Sequence, residues 1–429
     1  MRKKNMAKLI IIMLMMAVLN GCGSVTDNQN INAESQEIEN VAEESETVKE
    51  EENQEEEAKK YYEEGRNFLY GLDGKEVNYE VAYKNFEKAL ELGNADANFY
   101  LGACYDWYAY PEENYEKAKM YYESAGDNPY AQISLGMFYY YGEQFEKDEE
   151  KAKVIYQNVI DAGYVEGYFG LAEDAFNKED YSMAFELYSK VLEGEEQVFI
   201  ALAMHNLGYL YANGLGVEQD GVKAIEFYEK ASNLGHSSSL CNIAYLYEHG
   251  LGVEQDYEKA MEWYEKAAEL GDTVAISNIG YMHEQGLGVE QDYEKAIEWY
   301  EKAGSLGNDV SYCNIAYLYE DGLGVEQDYE KAIEWFKKAA DLGNHLAMNN
   351  IGVYYLNEKE EFDKAIEWFE KAIELGNDSA NHNLGYMYEH GLGVEVDYEK
   401  AIGYFEKALE MGVEEAQEEI EYIKSELLQ

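Results

Sequence analysis

The sequence predicts an all-α fold, a right-handed α-solenoid of about ten helix-turn-helix repeats of about 36 residues each. The first observation is a fixed period, because the stretch that begins at Ser239 recurs nearly unchanged from Ala275 and again from Ser311. The second is that glycines stand at the same points of each copy. The third is that the apolar residues between the glycines follow helical spacing. A period of this length is typical of units that stack into a solenoid.

Each repeat is predicted to be a pair of helices joined by glycine turns. In the copy that starts at Ser239, Ile243 and Tyr247 lie on one helical face, and Gly250 follows where that helix must end. Asp256 is the expected N-cap of the second helix. Since one such hairpin cannot bury its apolar face alone, successive repeats are expected to stack against each other.

The copies share a residue pattern that resembles a known repeat. They read Ala-x-x-Asn-Leu-Gly-x-x-Tyr-x-x-Gly-x-Gly-Val-x-x-Asp-Tyr-x-Lys-Ala-x-x-Trp-x-x-Lys-Ala-Ala-x-x-Gly, and they follow this pattern most closely between Ala203 and Gly343. The pattern resembles the Sel1-like repeat, a relative of the tetratricopeptide repeat that has glycine turns. The resemblance implies a curved α-solenoid that holds other proteins together, and an adaptor rather than an enzyme.

The predicted array covers residues 58–413, and residues 414–429 form a polar helix that caps the last repeat. Several copies depart from the pattern at the turn. Residues 110–113 and 142–145 replace glycine turns, and the copy from Ala347 carries Asn357-Glu358-Lys359-Glu360-Glu361 at this point. The last of these turns is nearer to the tetratricopeptide version of the repeat.

The N-terminus has the features of a lipoprotein signal peptide over residues 1–21. Basic residues precede the apolar run Leu9–Leu19, which is too short to span a membrane as a helix. Leu19-Asn20-Gly21-Cys22 then matches a bacterial lipobox, so Cys22 is the expected site of lipidation. Two acyl chains on one glycerol would give a stable anchor. The alternative is an ordinary secretory signal followed by a chance cysteine.

Residues 22–57 are predicted to be a lipidated cysteine followed by an acidic, disordered linker, because apolar residues almost vanish there. Such a linker would hold the solenoid away from the membrane, although it could instead be a calcium-binding or partner-binding tail. We therefore expect a protein on the extracytoplasmic face of the cell membrane, or of the outer membrane in a Gram-negative host.

The net charge narrows the range of partners. The chain carries a net charge of −55, which repels nucleic acid and anionic lipid surfaces and favours basic protein partners.

The cysteines and the missing motifs bear on disulfides and on catalysis. Cys104, Cys241 and Cys313 lie on first helices of separate repeats, too far apart for a disulfide, so they are expected to be small buried apolar residues. The motifs of nucleotide, zinc-protease and serine-hydrolase sites are absent, and no catalytic residue, metal or cofactor is predicted.

Two rows of residues on the first helices form the candidate protein-binding surface. By the resemblance to tetratricopeptide arrays, they line the concave face. The tyrosine row consists of Tyr209, Tyr245, Tyr281, Tyr317 and Tyr386, with Val353 at the same register. The glutamate row, one helical turn further on, consists of Glu248, Glu284, Glu320 and Glu389, with Ala212 and Leu356 at the same register.

The rows predict a scaffold that binds an extended, basic protein segment, because aromatic faces beside carboxylates suit lysine and arginine side chains. A structural alternative is that the tyrosines complete the packing between repeats and that the glutamates form a solvated face. Two other functions remain open. One is binding of peptidoglycan or another glycan, since tyrosines also stack on sugars, and the other is hydrolysis at a site that the motifs do not reveal.

Overall fold

The structure is a computed structural model that describes residues 53–108, 110–111, 114–142 and 145–427. In this part of the chain there are 21 α-helices and no strands. The helices follow one another as antiparallel hairpins, and each hairpin packs on the next. The predicted all-α solenoid of helix-turn-helix repeats is therefore confirmed.

Ten hairpins make up the described chain, each with a first and a second helix. The first helices are α1 (53–70), α3 (Ala97–Asp106), α5 (Pro129–Tyr141), α7 (Tyr168–Asn177), α9 (Gln197–Asn213), α11 (Ser238–His249), α13 (Thr273–Gln285), α15 (Asp309–Asp321), α17 (His345–Asn357) and α19 (Asp378–His390). The second helices are α2 (Tyr79–Glu91), α4 (Tyr115–Ser124), α6 (Glu149–Asp161), α8 (Tyr181–Val191), α10 (Gly221–Asn233), α12 (Tyr257–Glu269), α14 (Tyr293–Ser305), α16 (Tyr329–Asp341), α18 (Phe362–Glu374) and α20 (Tyr398–Glu410). A short helix, α21 (Ala416–Tyr422), follows and packs on α20.

The sixth hairpin shows how the repeat sequence builds its turn. α11 ends at Gly250, whose φ of 66° is a left-handed conformation that glycine adopts without strain, and its amide donates to the Leu246 carbonyl. Gln255 reaches back and donates its side-chain amide to the Glu248 carbonyl at 2.7 Å. α12 then begins with Asp256, whose carboxylate accepts the Lys259 amide at 3.0 Å. Both predicted caps, Gly250 and Asp256, are confirmed.

The core of each hairpin contains an aromatic side chain from the second helix. Six second helices carry a fully buried tyrosine at one register: Tyr122, Tyr156, Tyr188, Tyr228, Tyr264 and Tyr300. In the first hairpin and the last three hairpins this position is a buried phenylalanine: Phe86, Phe336, Phe369 and Phe405. Because a buried tyrosine hydroxyl needs a hydrogen-bond partner, this difference changes the polar groups that surround it.

The N-terminal hairpins close on one another around a buried carboxylate. The hydroxyls of Tyr70 and Tyr100 donate to the two oxygens of Glu196, at 2.9 and 2.7 Å. Nearby, the rings of Phe99 and Phe199 stack with their centroids 6.4 Å apart. We call these five residues the closing cluster. They bring the first two hairpins into contact with the start of the fifth, so the chain itself fills the space between them.

An insertion before α9 makes this closure possible. α9 is 17 residues long, whereas α13 and α15 have 13, and the added first turn carries Phe199 into the cluster. The carboxylate of Glu166 accepts the backbone amides of Glu195 and Glu196 at 2.7 and 2.9 Å, which fixes the entry to the helix. The sequence analysis did not predict this closure.

The described residues include only the end of the predicted N-terminal linker. Cys22, the predicted signal peptide and most of the predicted linker lie outside the described residues. The helix α1 already includes residues 53–57, which are exposed, and Ala58 is the first buried side chain. Among the described helices, none combines the length and the apolar composition that crossing a membrane requires.

The described cysteines match their prediction. Cys104, Cys241 and Cys313 are free and buried. They therefore contribute apolar packing to their hairpins and do not link the repeats covalently.

Candidate functional site

The tyrosine row lies at the surface along the array. Its members Tyr209, Tyr245, Tyr281, Tyr317 and Tyr386 are between 40% and 47% exposed. By contrast, six second-helix tyrosines at one register are fully buried, namely Tyr122, Tyr156, Tyr188, Tyr228, Tyr264 and Tyr300. The buried second-helix tyrosine therefore fills the core of the hairpin. The row tyrosine keeps much of its aromatic face exposed to solvent.

The first helices carry the tyrosine row, and some of them contact each other. First helices of successive hairpins contact each other directly at α3 with α5, α5 with α7, and α17 with α19. In a curved stack, the elements on the inner side come closest together. Two first helices of the C-terminal array, α17 and α19, therefore approach each other directly, and the concave position of the tyrosine row stays a prediction.

Neighbouring side chains hold several of these tyrosines in place. The ring of Tyr245 stacks on His249 at 4.0 Å between centroids, and that of Tyr386 lies 4.2 Å from His390. The amide of Asn350 donates to the Tyr317 hydroxyl at 2.9 Å across the junction between two hairpins. The rings are thus positioned in advance, which reduces the entropy that a bound partner would have to remove.

The structure divides the glutamate row into two pairs. Tyr264 donates its hydroxyl to Glu248 at 2.6 Å, and Tyr300 donates to Glu284 at 2.8 Å. Burial, reinforced by the adjacent carboxylate, raises the pKa of both tyrosines, so they remain protonated donors. Glu248 is only 8% exposed. These two glutamates therefore complete the core of their own hairpins.

Glu320 and Glu389 accept no such hydrogen bond from the second helix, because the residue that faces them there is phenylalanine. Phe336 and Phe405 occupy the register of Tyr264, and neither can donate a hydrogen bond. Burial raises the pKa of Glu320, with a smaller contribution from Asp321. Burial also raises the pKa of Glu389, although His390 opposes it from 3.8 Å. In the described part of the chain, no side chain donates a hydrogen bond to the Glu320 carboxylate.

A cavity opens beside Glu320, between the eighth and ninth hairpins. Its volume is about 410 Å³, and its lining comes from α15, α16, α17 and the turn after α17. Tyr317 and Glu320 form part of the wall, so the structure brings one member of each row together at one site. The remaining lining residues are Tyr329, Ala332, Ile333, Phe336, Asn350, Val353, Tyr354, Asn357 and Glu358.

The sequence analysis did not identify this cavity, although its signal was present. Val353 is an exception in the tyrosine row, and residues 357–361 form a turn without glycine. Phe336 in place of tyrosine is a third departure from the repeat. In the sequence, each departure is an isolated difference between copies. The fold shows that all three lie together between the eighth and ninth hairpins.

A separate group of titratable side chains lies half-buried between the fifth and sixth hairpins. The Nδ1 atoms of His205 and His236 each lie 2.9 Å from the Ser239 hydroxyl oxygen. Burial lowers the pKa of His205 to about 3, with help from His236, and lowers the pKa of His236 to about 4. Ser239 is fully buried, so this contact holds the two hairpins together and offers no accessible nucleophile.

Within the described ranges, no group of three or more His, Cys, Asp or Glu side chains could hold a metal ion. Glu248 and Glu284 accept hydrogen bonds from second-helix tyrosines, Tyr317 accepts one from Asn350, and the cavity joins apolar side chains to carboxylates. The chemistry that this surface can perform is the binding of apolar and cationic groups.

Comparison with known proteins identifies the repeat. The family model for the Sel1 repeat matches nine segments, 61–94, 95–128, 129–164, 201–236, 237–272, 273–308, 310–344, 345–377 and 378–413. The unmatched stretch between 164 and 201 contains the fourth hairpin and the added turn of α9. Comparison with curated proteins gave no match.

Solved structures include relatives that cover most of the chain. A protective antigen of uropathogenic Escherichia coli with an SLR fold, c5321, is 32% identical over 88% of this chain and 82% of its own, with a TM-score of 0.44. A Sel1 repeat protein from Oxalobacter formigenes is 29% identical over 56% of this chain and 99% of its own, with a TM-score of 0.45. The chain belongs to the Sel1 repeat family, whose helical solenoids are a type of protein-interaction scaffold and are typically non-catalytic.

Proposed function

We propose that this protein is a lipid-anchored scaffold on the extracytoplasmic face of the membrane, and that it binds an extended, basic segment of another exported protein along its tyrosine row. The observation that carries this proposal is the exposure of five tyrosines at one register, each 40% or more accessible. A side chain that only completed the packing between repeats would be covered. A row of open aromatic faces is a surface for a partner.

The charge of the chain supports a basic partner. A net charge of −55 attracts cationic segments and speeds their encounter with the surface. Lysine and arginine side chains bind to tyrosine faces by cation–π contacts, worth about 0.5–1 kcal/mol each at exposed sites. One such contact is too weak to hold a protein. Affinity therefore comes from several hairpins that act on one segment together.

The chain already makes many contacts of this kind within itself. The ammonium of Lys266 lies 3.7 Å from the ring centroid of Trp263, and that of Lys338 lies 3.4 Å from the ring centroid of Trp335. These lysines lie on second helices, whereas the row tyrosines lie on first helices. On the second helices, lysines of the chain itself cover these aromatic faces. The faces of the row tyrosines on the first helices remain open to a partner.

Photocrosslinking in cells would test where the partner binds. A crosslinking amino acid at Tyr245 or Tyr281 should capture a discrete protein, and capture should weaken as salt screens the charges. Leu270 and Leu306 provide matched controls, because they are exposed to 50% and 55% on second-helix ends of neighbouring hairpins. Equal capture at the leucines would refute the row as the binding site. Protection of the tyrosines by muropeptides would favour the glycan-binding alternative.

The lipid anchor rests on the sequence around Cys22. Metabolic labelling with a fatty acid should mark the wild-type protein and leave a Cys22→Ala variant unlabelled and released from the membrane fraction. Labelling that persists in the variant would contradict lipidation at this residue. The scaffold function would stand in that case, because it depends on the solenoid alone.

A further inference from the structure

The cavity between the eighth and ninth hairpins exists because three departures from the repeat coincide there. Val353 stands where five other hairpins carry the row tyrosine, so a large ring is missing from the wall. Phe336 replaces the tyrosine that would donate to Glu320. The ninth hairpin also lacks the glycine turn that, in its neighbours, packs on the preceding hairpin.

The missing turn explains why the cavity is open. In the seventh hairpin, a Cβ added to Gly288 would lie 2.7 Å from the carbonyl carbon of Tyr257, so this turn covers the start of the preceding second helix. The equivalent residue at the start of α16 is Tyr329. No glycine turn follows α17, and Tyr329 is 43% exposed. Its ring forms one wall of the cavity.

The lining combines an apolar interior with two carboxylates, the partly buried Glu320 and the exposed Glu358. Ile333, Phe336 and Val353 supply aliphatic and aromatic surface, and Tyr317 packs edge-to-face on Phe336 at 5.2 Å. Glu320 supplies a carboxylate to which no side chain of the described residues donates a hydrogen bond. The adjacent Lys359 does not compensate this charge, because its ammonium lies 2.9 Å from Glu330, outside the lining.

We propose that this cavity takes one lysine or arginine side chain of the bound segment, with the aliphatic stem on Ile333 and Val353 and the cation at Glu320. The proposal rests on the scaffold function above and sets the register at which the segment binds. Long cationic side chains combine an apolar stem with a charged end, which matches this lining. A partly desolvated carboxylate without a donor gains more from a cation than a fully exposed carboxylate does.

Equilibrium binding of a labelled octalysine peptide to the full chain at low salt would test this pocket. A peptide of eight acetylated lysines, which has the same backbone without the charge, should not bind. Glu320→Gln should weaken octalysine binding about tenfold, since it removes the partly buried carboxylate of the lining and leaves only the exposed Glu358. Val353→Tyr should weaken it to a similar extent, because the ring would fill the space.

Val353→Tyr restores the residue that other hairpins carry at this register, so the fold is expected to survive, and a circular dichroism melt checks that it does. Glu334→Gln is the matched control for charge, because Glu334 is exposed on the same helix as Ile333 and is not part of the lining. It should change binding less than twofold. Phe336→Tyr should weaken binding severalfold with no change of charge, because its hydroxyl would donate to Glu320.

The possible results separate the pocket from the row. If Glu284→Gln weakens binding as much as Glu320→Gln, the row binds by its general charge and the pocket assignment is wrong. If Val353→Tyr binds octalysine as the wild type does, the pocket is also wrong while the scaffold function survives. If the wild type binds neither octalysine nor octaarginine at low salt, the preference for a basic partner fails and the pocket assignment fails with it.

Discussion

The two halves of the solenoid use aromatic side chains on their first helices in opposite ways. In the N-terminal half, Phe99 and Tyr100 of α3 are buried in the closing cluster, where they meet Tyr70, Glu196 and Phe199. From the fifth hairpin onward, the tyrosine row is exposed. The same repeat therefore builds a filled interior at one end and an open surface at the other.

The difference shows that departures from the repeat determine whether first-helix aromatic side chains are buried or exposed. The closure depends on one added turn in α9 and on a buried carboxylate that satisfies two tyrosine hydroxyls. The open half has regular copies, and the contacts of its row tyrosines join residues of the same or of a neighbouring hairpin, as Asn350 does with Tyr317. The closed half is therefore held by contacts between distant hairpins, and the open half carries the proposed binding surface.

The largest expected effect comes from the carboxylate of the closing cluster. Glu196→Ala would leave the hydroxyls of Tyr70 and Tyr100 without an acceptor and would remove the negative charge near Arg66. Loss of one partner from a buried charged network costs about 3–5 kcal/mol. Urea unfolding should show this loss, whereas Glu196→Gln, which keeps an acceptor, should lose less.

Hydrogen exchange would show whether this loss stays within the closed half. In Glu196→Ala, amides of the first five hairpins should lose protection while those of the last four keep it. An even loss along the chain would mean that the two halves are one cooperative unit and would contradict the division proposed above.

The next effect is acid sensitivity at the boundary between the halves. His205 and His236 have folded-state pKa values of about 3 and about 4, below the value of about 6.5 expected for an unfolded chain. The unfolded state therefore binds more protons, and stability that is present above pH 6.5 is lost as the pH falls towards 4. At pH 5 the loss is roughly 2 kcal/mol for each histidine.

Chemical denaturation at pH 7.5 and pH 5 would measure this effect. His236→Gln should reduce the loss on acidification, whereas the same change at the exposed His249 should leave it unaltered. If both variants show the wild-type pH dependence, the histidine pair is not its source.

The sequence predicted the open half well because that half is regular. The caps at Gly250 and Asp256 and the hairpin order follow from local patterns that repeat at a fixed spacing. Period and spacing report on contacts within a hairpin and between neighbours, and a Sel1 repeat makes few others.

The closing cluster could not be predicted in this way. Tyr70 and Glu196 are 126 residues apart in the chain, and their contact depends on how curvature accumulates over several hairpins. The repeat pattern also does not show which glutamates accept a hydrogen bond from the second helix. Glu248 and Glu320 have the same register, and the residue that faces them is Tyr264 in one case and Phe336 in the other. Tyrosine and phenylalanine both fit the aromatic position of the second helix, so the hydrophobic periodicity does not distinguish them.

A smaller effect should follow from changing that facing residue. Tyr264→Phe would leave Glu248, only 8% exposed, without its donor, and a net loss of about 1 kcal/mol is expected. The reverse change, Phe336→Tyr, would supply a donor to Glu320 and should stabilise the eighth hairpin by up to about 1 kcal/mol. Thermal melts of both variants would show opposite shifts. Shifts of the same sign would mean that packing of the ring, and not the hydrogen bond, decides the outcome.

The smallest expected effect on folding comes from the tyrosine row, and it distinguishes the two halves most directly. Replacing Tyr245, Tyr281 and Tyr317 by alanine removes rings that are already 41–47% exposed, so each should cost under about 1 kcal/mol. Tyr100→Ala in the closing cluster removes a fully buried ring and should cost about 3–5 kcal/mol alone. The triple variant should therefore melt close to the wild type and lose octalysine binding. If the triple variant unfolds as readily as Tyr100→Ala, the row tyrosines are packing residues, and the open half is then a second closed interior with no surface to offer a partner.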